Sequence, residues 1–280
     1  MIQDIYPYQM RNEFIPGTLP VADSIILHFI GNEVLTKSDK EEENLIFPRW
    51  RELTKEPKQL TYLFRIDQTL FFLILDQEPV SLPGYEYEAI TMLRKSRKVP
   101  QWLSFAGFTA NHLSHWYQSN RFCGSCGHPT QLAEDERAID CPVCHIRRYP
   151  RIQPAVIVGV INGDSLLITR YANRITSIPA LIAGFTEIGE TLEETVAREV
   201  MEETGLRVKN IRYYKSQPWG IVDDLLAGFY CDVEGDDTIR IDKNELKEAL
   251  WVRREEIEGQ PDHFSLTNEM MLRFRAGEHC

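Results

Sequence analysis

The chain is 280 residues long, enough for two domains and a small module with a sizeable core. It carries 42 acidic against 31 basic side chains, a formal net charge of −11, which opposes broad binding to nucleic-acid backbones. The N-terminus has no signal-like apolar region and no apolar run is long enough to span a membrane, so a cytoplasmic protein without a membrane partner is expected.

SIILHFI at 24–30 is a short apolar run, and the polar tract TKSDKEEEN at 36–44 reads as a solvated loop. LTYLFRI and TLFFLIL flank the two polar residues Asp67 and Gln68, the pattern of a β-hairpin. Residues 85–97 and 100–119 read as helices, interrupted before Pro100. Together these outline an N-terminal α+β domain over 1–119. It carries no evident chemistry, and its expected role is to support a dimer or the module that follows.

That module, over 120–150, is marked by cysteines. Cys123-Gly-Ser-Cys126 and Cys141-Pro-Val-Cys144 are separated by 14 residues. Two such knuckles supply four thiolates to one tetrahedral Zn²⁺ at about 2.3 Å, a closed and therefore structural site. Disulfides are disfavoured because the chain lacks secretory features. His128 and His145 adjoin the knuckles, but four cysteines already complete the set. Cys231 reads as a strand-core residue and Cys280 as exposed at the chain end. Arg121, Arg137, Arg147, Arg148 and Arg151 make the module and its flanks locally basic.

Over 151–280, AVIVGVI and SLLITR around Asn162-Gly163-Asp164 form a second hairpin, with further strands at 211–216 and 224–233 and a helix near 266–275. Between them lies GFTEIGETLEETVAREVMEETGL, Gly184 to Leu206. Thr191 and Glu194 form a capping box that starts a helix, and Gly205 provides its left-handed stop. Leu192, Val196 and Val200 share one apolar stripe, with Thr195, Glu199 and Glu202 on the adjacent strip. Glu203 falls on the edge of the buried stripe, where a carboxylate is costly unless a cation compensates it. With Glu190 nearby, four clustered carboxylates suit a hard, oxygen-seeking Mg²⁺ or Mn²⁺. Arg198 is placed to pair with Glu194 or Glu202. Gly184 and Gly189 let the preceding loop fold tightly over the helix.

The Gly184–Leu206 stretch resembles the Nudix box of hydrolases that cleave a nucleoside diphosphate linked to another group. The resemblance implies an α/β/α sandwich with a mixed sheet, of α/β or α+β class, beside the zinc ribbon and the N-terminal α+β domain. It implies that Glu199, Glu202 and Glu203 bind metal, with Glu199 or Glu203 helping to activate water. It also implies that the Ala183 carbonyl is a further ligand, and that Arg198 and Glu190 complete the catalytic set.

A four-cysteine ribbon followed by this box resembles the NADH pyrophosphatase branch, over about residues 85–280. Tyr149-Pro150-Arg151-Ile152 with Pro154, Ser216-Gln217-Pro218-Trp219, and HLSHWYQSNRFCGSCG carry the likeness. It implies an aromatic pair, Tyr149 and Phe185, clasping a flat base, where stacking contributes about 1–3 kcal/mol per contact. It implies a homodimer in which Trp219, after Gln217 and Pro218, reaches the partner's site. Glu245 matches a later metal-binding carboxylate, and Arg94 matches a substrate contact. The family commonly continues SQPW with Pro-Phe-Pro and then Ser; here Gly220-Ile221-Val222-Asp223-Asp224 follows, losing two stiff prolines and gaining two charges beside an anionic substrate.

The implied reaction is metal-dependent hydrolysis of NAD(H) to NMN(H) and AMP, and the same bond occurs in RNA with a 5′ NAD cap. Two alternatives stand beside it: hydrolysis of another nucleoside diphosphate such as ADP-ribose, and a non-catalytic nucleotide sensor. The sensor is disfavoured because every box position is kept and no basic helix-turn-helix pattern is present.

Overall fold

The computed structural model describes residues 1–39, 44–95, 99–172 and 178–278. The reading of Cys280 therefore lies outside the described residues. The chain divides into two compact units, one of Ile2–Arg151 with Gly220–Asp223, the other of Met1, Ile152–Trp219 and Asp224–Cys280.

In the first unit the hairpin forms as expected. Leu60–Ile66 pairs antiparallel with Thr69–Ile74, and Asp67 takes a left-handed φ of 50° in the two-residue link. Asp tolerates that conformation better than most residues. The apolar run at 24–30 splits into Ile25–Leu27 and Phe29–Ile30. His28, at the break, turns its ring to the Tyr87 hydroxyl at 2.5 Å and the Asp76 carbonyl at 2.8 Å.

Two sequence expectations are corrected. The tract at 36–44 is not simply a loop: Glu33–Asp39 is a strand that pairs with Asn44–Ile46, although 40–43 lie outside the described residues. The segment 85–97 is not one helix: Glu86–Ala89 is a strand that pairs with residues 33–36 of Glu33–Asp39, and only Met92–Lys95 is helical, with 96 and 97 outside the described residues. Tertiary pairing prevails over local propensity here, because Tyr87 lies opposite Leu35 and its hydroxyl holds both His28 and the Val80 amide. Helix α1, Gln101–Ser119, starts directly after Pro100. The ribbon belongs to this same unit as a three-stranded sheet of Gln131–Leu132, Ile139–Asp140 and Arg147–Arg148.

The second unit is built on a six-stranded mixed sheet. Its strands are β1 (Gln153–Asn162), β2 (Ser165–Tyr171), β3 (Ile182–Phe185), β4 (Val208–Trp219), β5 (Asp224–Val233) and β6 (Leu246–Arg253). β1 and β5 run parallel while the remaining pairs are antiparallel. Side chains of β1 alternate between two cores. Val156, Val158 and Val160 join Val196 and Val200 of helix α2 (Leu192–Thr204). Ala155, Ile157 and Ile161 join Leu266, Met270 and Phe274 of helix α3 (Leu266–Ala276). One helix on each face is the layered arrangement that a central strand apolar on both sides requires. Among the described residues no helix is long and apolar enough to cross a membrane.

Candidate functional site

Helix α2 has the ends that its sequence demands. Thr191 accepts from the Glu194 amide, the Glu194 carboxylate accepts from the Thr191 amide, and Gly205 closes the helix at φ 69°. Burying Val196 and Val200 fixes the helix's rotation, and that rotation carries Glu199 and Glu203 to the edge of the core. Glu203 is 1% exposed, and neither of its oxygens has a hydrogen-bond partner among the described residues. The Ala183 amide lies near enough to favour the charged form slightly, without reaching hydrogen-bond geometry. Desolvation, then the charges of Glu245 and Glu199, push the Glu203 carboxyl up to about 8. Burial also raises Glu199, with Glu202 and Glu245 adding to the effect and Arg198 opposing it.

Arg198 organises the other half of the cluster. Its Nε donates to Glu190 at 2.6 Å, Nη1 to Glu199 at 2.7 Å and Glu202 at 3.0 Å, and Nη2 to Glu190 and the Phe185 carbonyl at 2.9 Å. Glu194, the other partner open to it, is engaged in the cap instead. The guanidinium, followed by the Glu187 amide, holds the Glu190 carboxyl down to about 2. Thr195, fully buried, donates its hydroxyl to Glu190 at 3.0 Å. The sequence placed Thr195 on the acidic strip but gave it no role. Gly184, on β3 opposite Val156, is where Glu199 packs: a Cβ there would overlap the Glu199 carboxylate.

The donor set around Glu203 fits a hard divalent cation. It combines a dry carboxylate without a partner among the described residues, the buried Glu199 beside it, the charge of Glu245 bearing on both, and the neighbouring β3 backbone at Ala183. Glu202 and Glu245 are exposed, and Glu202 reaches Arg198. Among the described residues these carboxylates are not gathered to ligand distance of one another; the one set that is gathered is the four thiols, with sulfurs within 4.8 Å.

In the ribbon the two knuckles repeat one backbone design. The Gly127 and His145 amides donate to the Cys123 and Cys141 carbonyls at 2.8 and 2.9 Å, and both residues take left-handed φ, 75° and 57°. His145 is thereby a turn residue rather than a ligand. The Cys126 and Cys141 sulfurs are 3.6 Å apart, close to the roughly 3.8 Å edge of a tetrahedron with Zn–S near 2.3 Å. Amides of Ser125 and Cys126 draw the Cys123 thiol down to about 6, while its thiol neighbours hold Cys144 up to about 12. Four thiols crowded in this way suit a dication.

The basic flanks are less free than the sequence suggests. Arg147 is bound by Asp135, Glu136 and both oxygens of Asp140, and Arg137 donates to the Leu63 and Asn12 carbonyls and the Asn12 side chain.

The remaining expected substrate residues are scattered in environment. Phe185 is half exposed on β3, and Tyr149, in the first unit, is half exposed with its hydroxyl to Glu136 at 3.3 Å. Arg94 is half-buried in the helical turn Met92–Lys95. Pro218 is exposed, and Trp219 packs partly against the α3 core. Gln217 is fully buried: its amide donates to the Phe264 carbonyl and accepts from the Leu266 amide, both at 2.7 Å. It therefore anchors the first turn of α3, and contact with a substrate would require giving up those bonds. Neither charge of the altered loop is free, for Asp223 faces His115 at 3.1 Å and Asp224 is buried.

The NUDIX domain model matches residues 151–273, and the NADH pyrophosphatase zinc ribbon domain model matches residues 118–149. The NAD-capped RNA hydrolase NudC of Klebsiella pneumoniae is 36% identical over 198 residues, covering 66% of this chain and 76% of that protein. The protein of the same name from an Enterobacter species is 44% identical over 145 residues, 52% of this chain and 56% of its own length. A solved Nudix hydrolase from Nitrosomonas europaea aligns with a TM-score of 0.47 at 24% identity, over 57% of this chain and 92% of that one. With its box helix, its four-thiol ribbon and these relatives, the chain belongs to the Nudix hydrolases, in the branch that carries the NADH pyrophosphatase zinc ribbon.

Proposed function

We propose that the protein hydrolyses the pyrophosphate bond of NAD(H) to NMN(H) and AMP, and opens the same bond at the 5′ end of NAD-capped RNA. The observation that carries this reading is Glu203: a buried carboxylate whose two oxygens have no partner among the described residues, beside Glu199 and under the charge of Glu245, in a chain whose relatives are NAD-capped RNA hydrolases. Glu199, Glu202, Glu203, Glu245 and the Ala183 carbonyl hold the cation, Mg²⁺ or Mn²⁺. When bound, it neutralises charge on the phosphate oxygens and lowers the pKa of a water. Glu199 or Glu203 accepts the proton of the attacking water. A new P–O bond forms at one phosphorus, and the bridging oxygen leaves on the mononucleotide. Arg198, fixed by Glu190 and Glu202, keeps Glu199 oriented.

Phe185, Tyr149 and Trp219 are the stacking groups for substrate bases. The working assembly is a homodimer in which Trp219 serves the neighbouring subunit's site and stacks on nicotinamide. Arg94 and Pro218 complete the substrate contacts, and the domains fall at 1–119, 120–150 and 151–280. The test supplies purified protein and Mn²⁺ with NADH, NAD⁺ and ADP-ribose in parallel and separates products by chromatography. NMNH and AMP are expected fastest from NADH and absent with Glu203→Gln. Preferential turnover of ADP-ribose would overturn the substrate assignment.

A further inference from the structure

The turn after Trp219 departs from the pattern of the branch, and its four residues have a physical reason. Gly220–Asp223 connects β4 to β5 and packs on one face of α1. The Gly220 Cα lies against the carbonyl of Phe108 so closely that any Cβ would overlap that oxygen, which restricts the position to glycine. Three residues along the helix, the Asn111 amide donates to the Gly220 carbonyl at 2.9 Å. Asn111 is 1% exposed and its own oxygen has no partner among the described residues, so this bond compensates its burial. One turn further, His115 Nδ1 lies 3.1 Å from both oxygens of Asp223. Asp223 has a left-handed φ of 65°, which Asp tolerates better than most residues, held here together with its contact to the helix. Phe108, Asn111 and His115 are spaced by three and four, one stripe of α1.

We propose that Asn111 and His115 of α1 clamp the turn Gly220–Asp223, and that Asn111, His115 and Asp223 are positioning residues that set the site's preference for nicotinamide-bearing substrates. The inference rests on the reading of Trp219 as the nicotinamide-stacking residue. Trp219 is joined directly to Gly220, so a turn held at both ends restricts where the indole begins. Tertiary anchoring by α1 replaces the covalent stiffness that two prolines would give. Orientation of a stacking group acts on substrate affinity, whereas the carboxylates of α2 act on the chemical step.

The experiment is steady-state turnover of NADH and of ADP-ribose, which lacks nicotinamide, by wild type, Trp219→Ala, Asn111→Ala, Asp223→Gly and Asp223→Asn. Asn111→Ala and Asp223→Gly are expected to raise KM for NADH by about fivefold, the scale of one net hydrogen bond, with kcat and ADP-ribose turnover unchanged. Asp223→Asn, which tolerates the left-handed φ and keeps an oxygen facing His115, is expected to match wild type. Should Asn111→Ala disturb the helix, ADP-ribose turnover falls with it and Asp223→Gly, on the half-exposed turn, decides. Equal KM increases for both substrates with Asp223→Gly, or none, would overturn the clamp. If Trp219→Ala itself fails to discriminate the two substrates, the reading of Trp219 falls and the clamp with it. If Trp219→Ala discriminates and the clamp variants do not, the clamp alone falls.

Discussion

Glu203 concentrates the conflict between folding and function. Val196 and Val200 bury one stripe of α2, and a residue three positions past Val200 cannot avoid the same edge. An ionised carboxylate there is opposed by desolvation and by Glu245 and Glu199, with no hydrogen bond among the described residues to offset it. Replacing it with Gln removes the charge and keeps the shape. The expected result is a loss of turnover of about a hundredfold or more, comparable to removal of a main electrostatic group from an active site, with the melting temperature held or raised. Product chromatography and thermal melting check the two halves, and retained turnover would remove Glu203 from the metal set. Its placement was legible in the sequence because helical periodicity alone puts it beside Val196. The role of Gln217 was not, because its partners Phe264 and Leu266 lie 47 and 49 residues away.

At the scale of elements, the box works because β3 and α2 approach closely at Gly184. Ala at that position would force the Glu199 carboxylate out of its seat while leaving the cap of Thr191 and the stop at Gly205 intact. Gly184→Ala should therefore reduce turnover strongly, with circular dichroism unchanged. The ribbon makes a separate prediction: Cys141→Ser removes one of four thiolates, and metal analysis should find the one zinc per chain lost. These elements were readable because caps, glycines and C-x-x-C knuckles act locally. The strand Glu86–Ala89 was not, because its extended form depends on pairing with Glu33–Asp39 and on Tyr87 reaching His28. The alternation of Tyr85, Tyr87 and Ala89 was the available signal, obscured by intervening Glu86 and Glu88, which suit a helix as well. The strand out to Asp39 was missed for the converse reason, since its polar end carries no apolar alternation to reveal it.

For the whole molecule, the acidic cluster links stability, pH and metal. Glu203 has a folded value of about 8 against an ordinary 4.5, so between these pH values the folded chain holds a proton that the unfolded chain releases. Stability from this group is complete below about pH 4.5 and is lost as pH rises through 8, at most about 1.4 kcal/mol per pH unit. Glu190, held at about 2, has the opposite sign, but its contribution is complete above 4.5 and is lost only in stronger acid, outside the window. With zinc in place but no Mg²⁺ or Mn²⁺, the melting temperature of wild type relative to Glu203→Gln should fall between pH 5 and 8. Taking the difference between the two proteins cancels the contributions of groups that both share. Adding Mn²⁺ should reverse the slope, because the cation binds the ionised carboxylates that the dry site otherwise disfavours and expels their protons. A difference that stays flat across the window would mean that water already solvates Glu203, and its burial would then give no reason for a metal at that edge of α2.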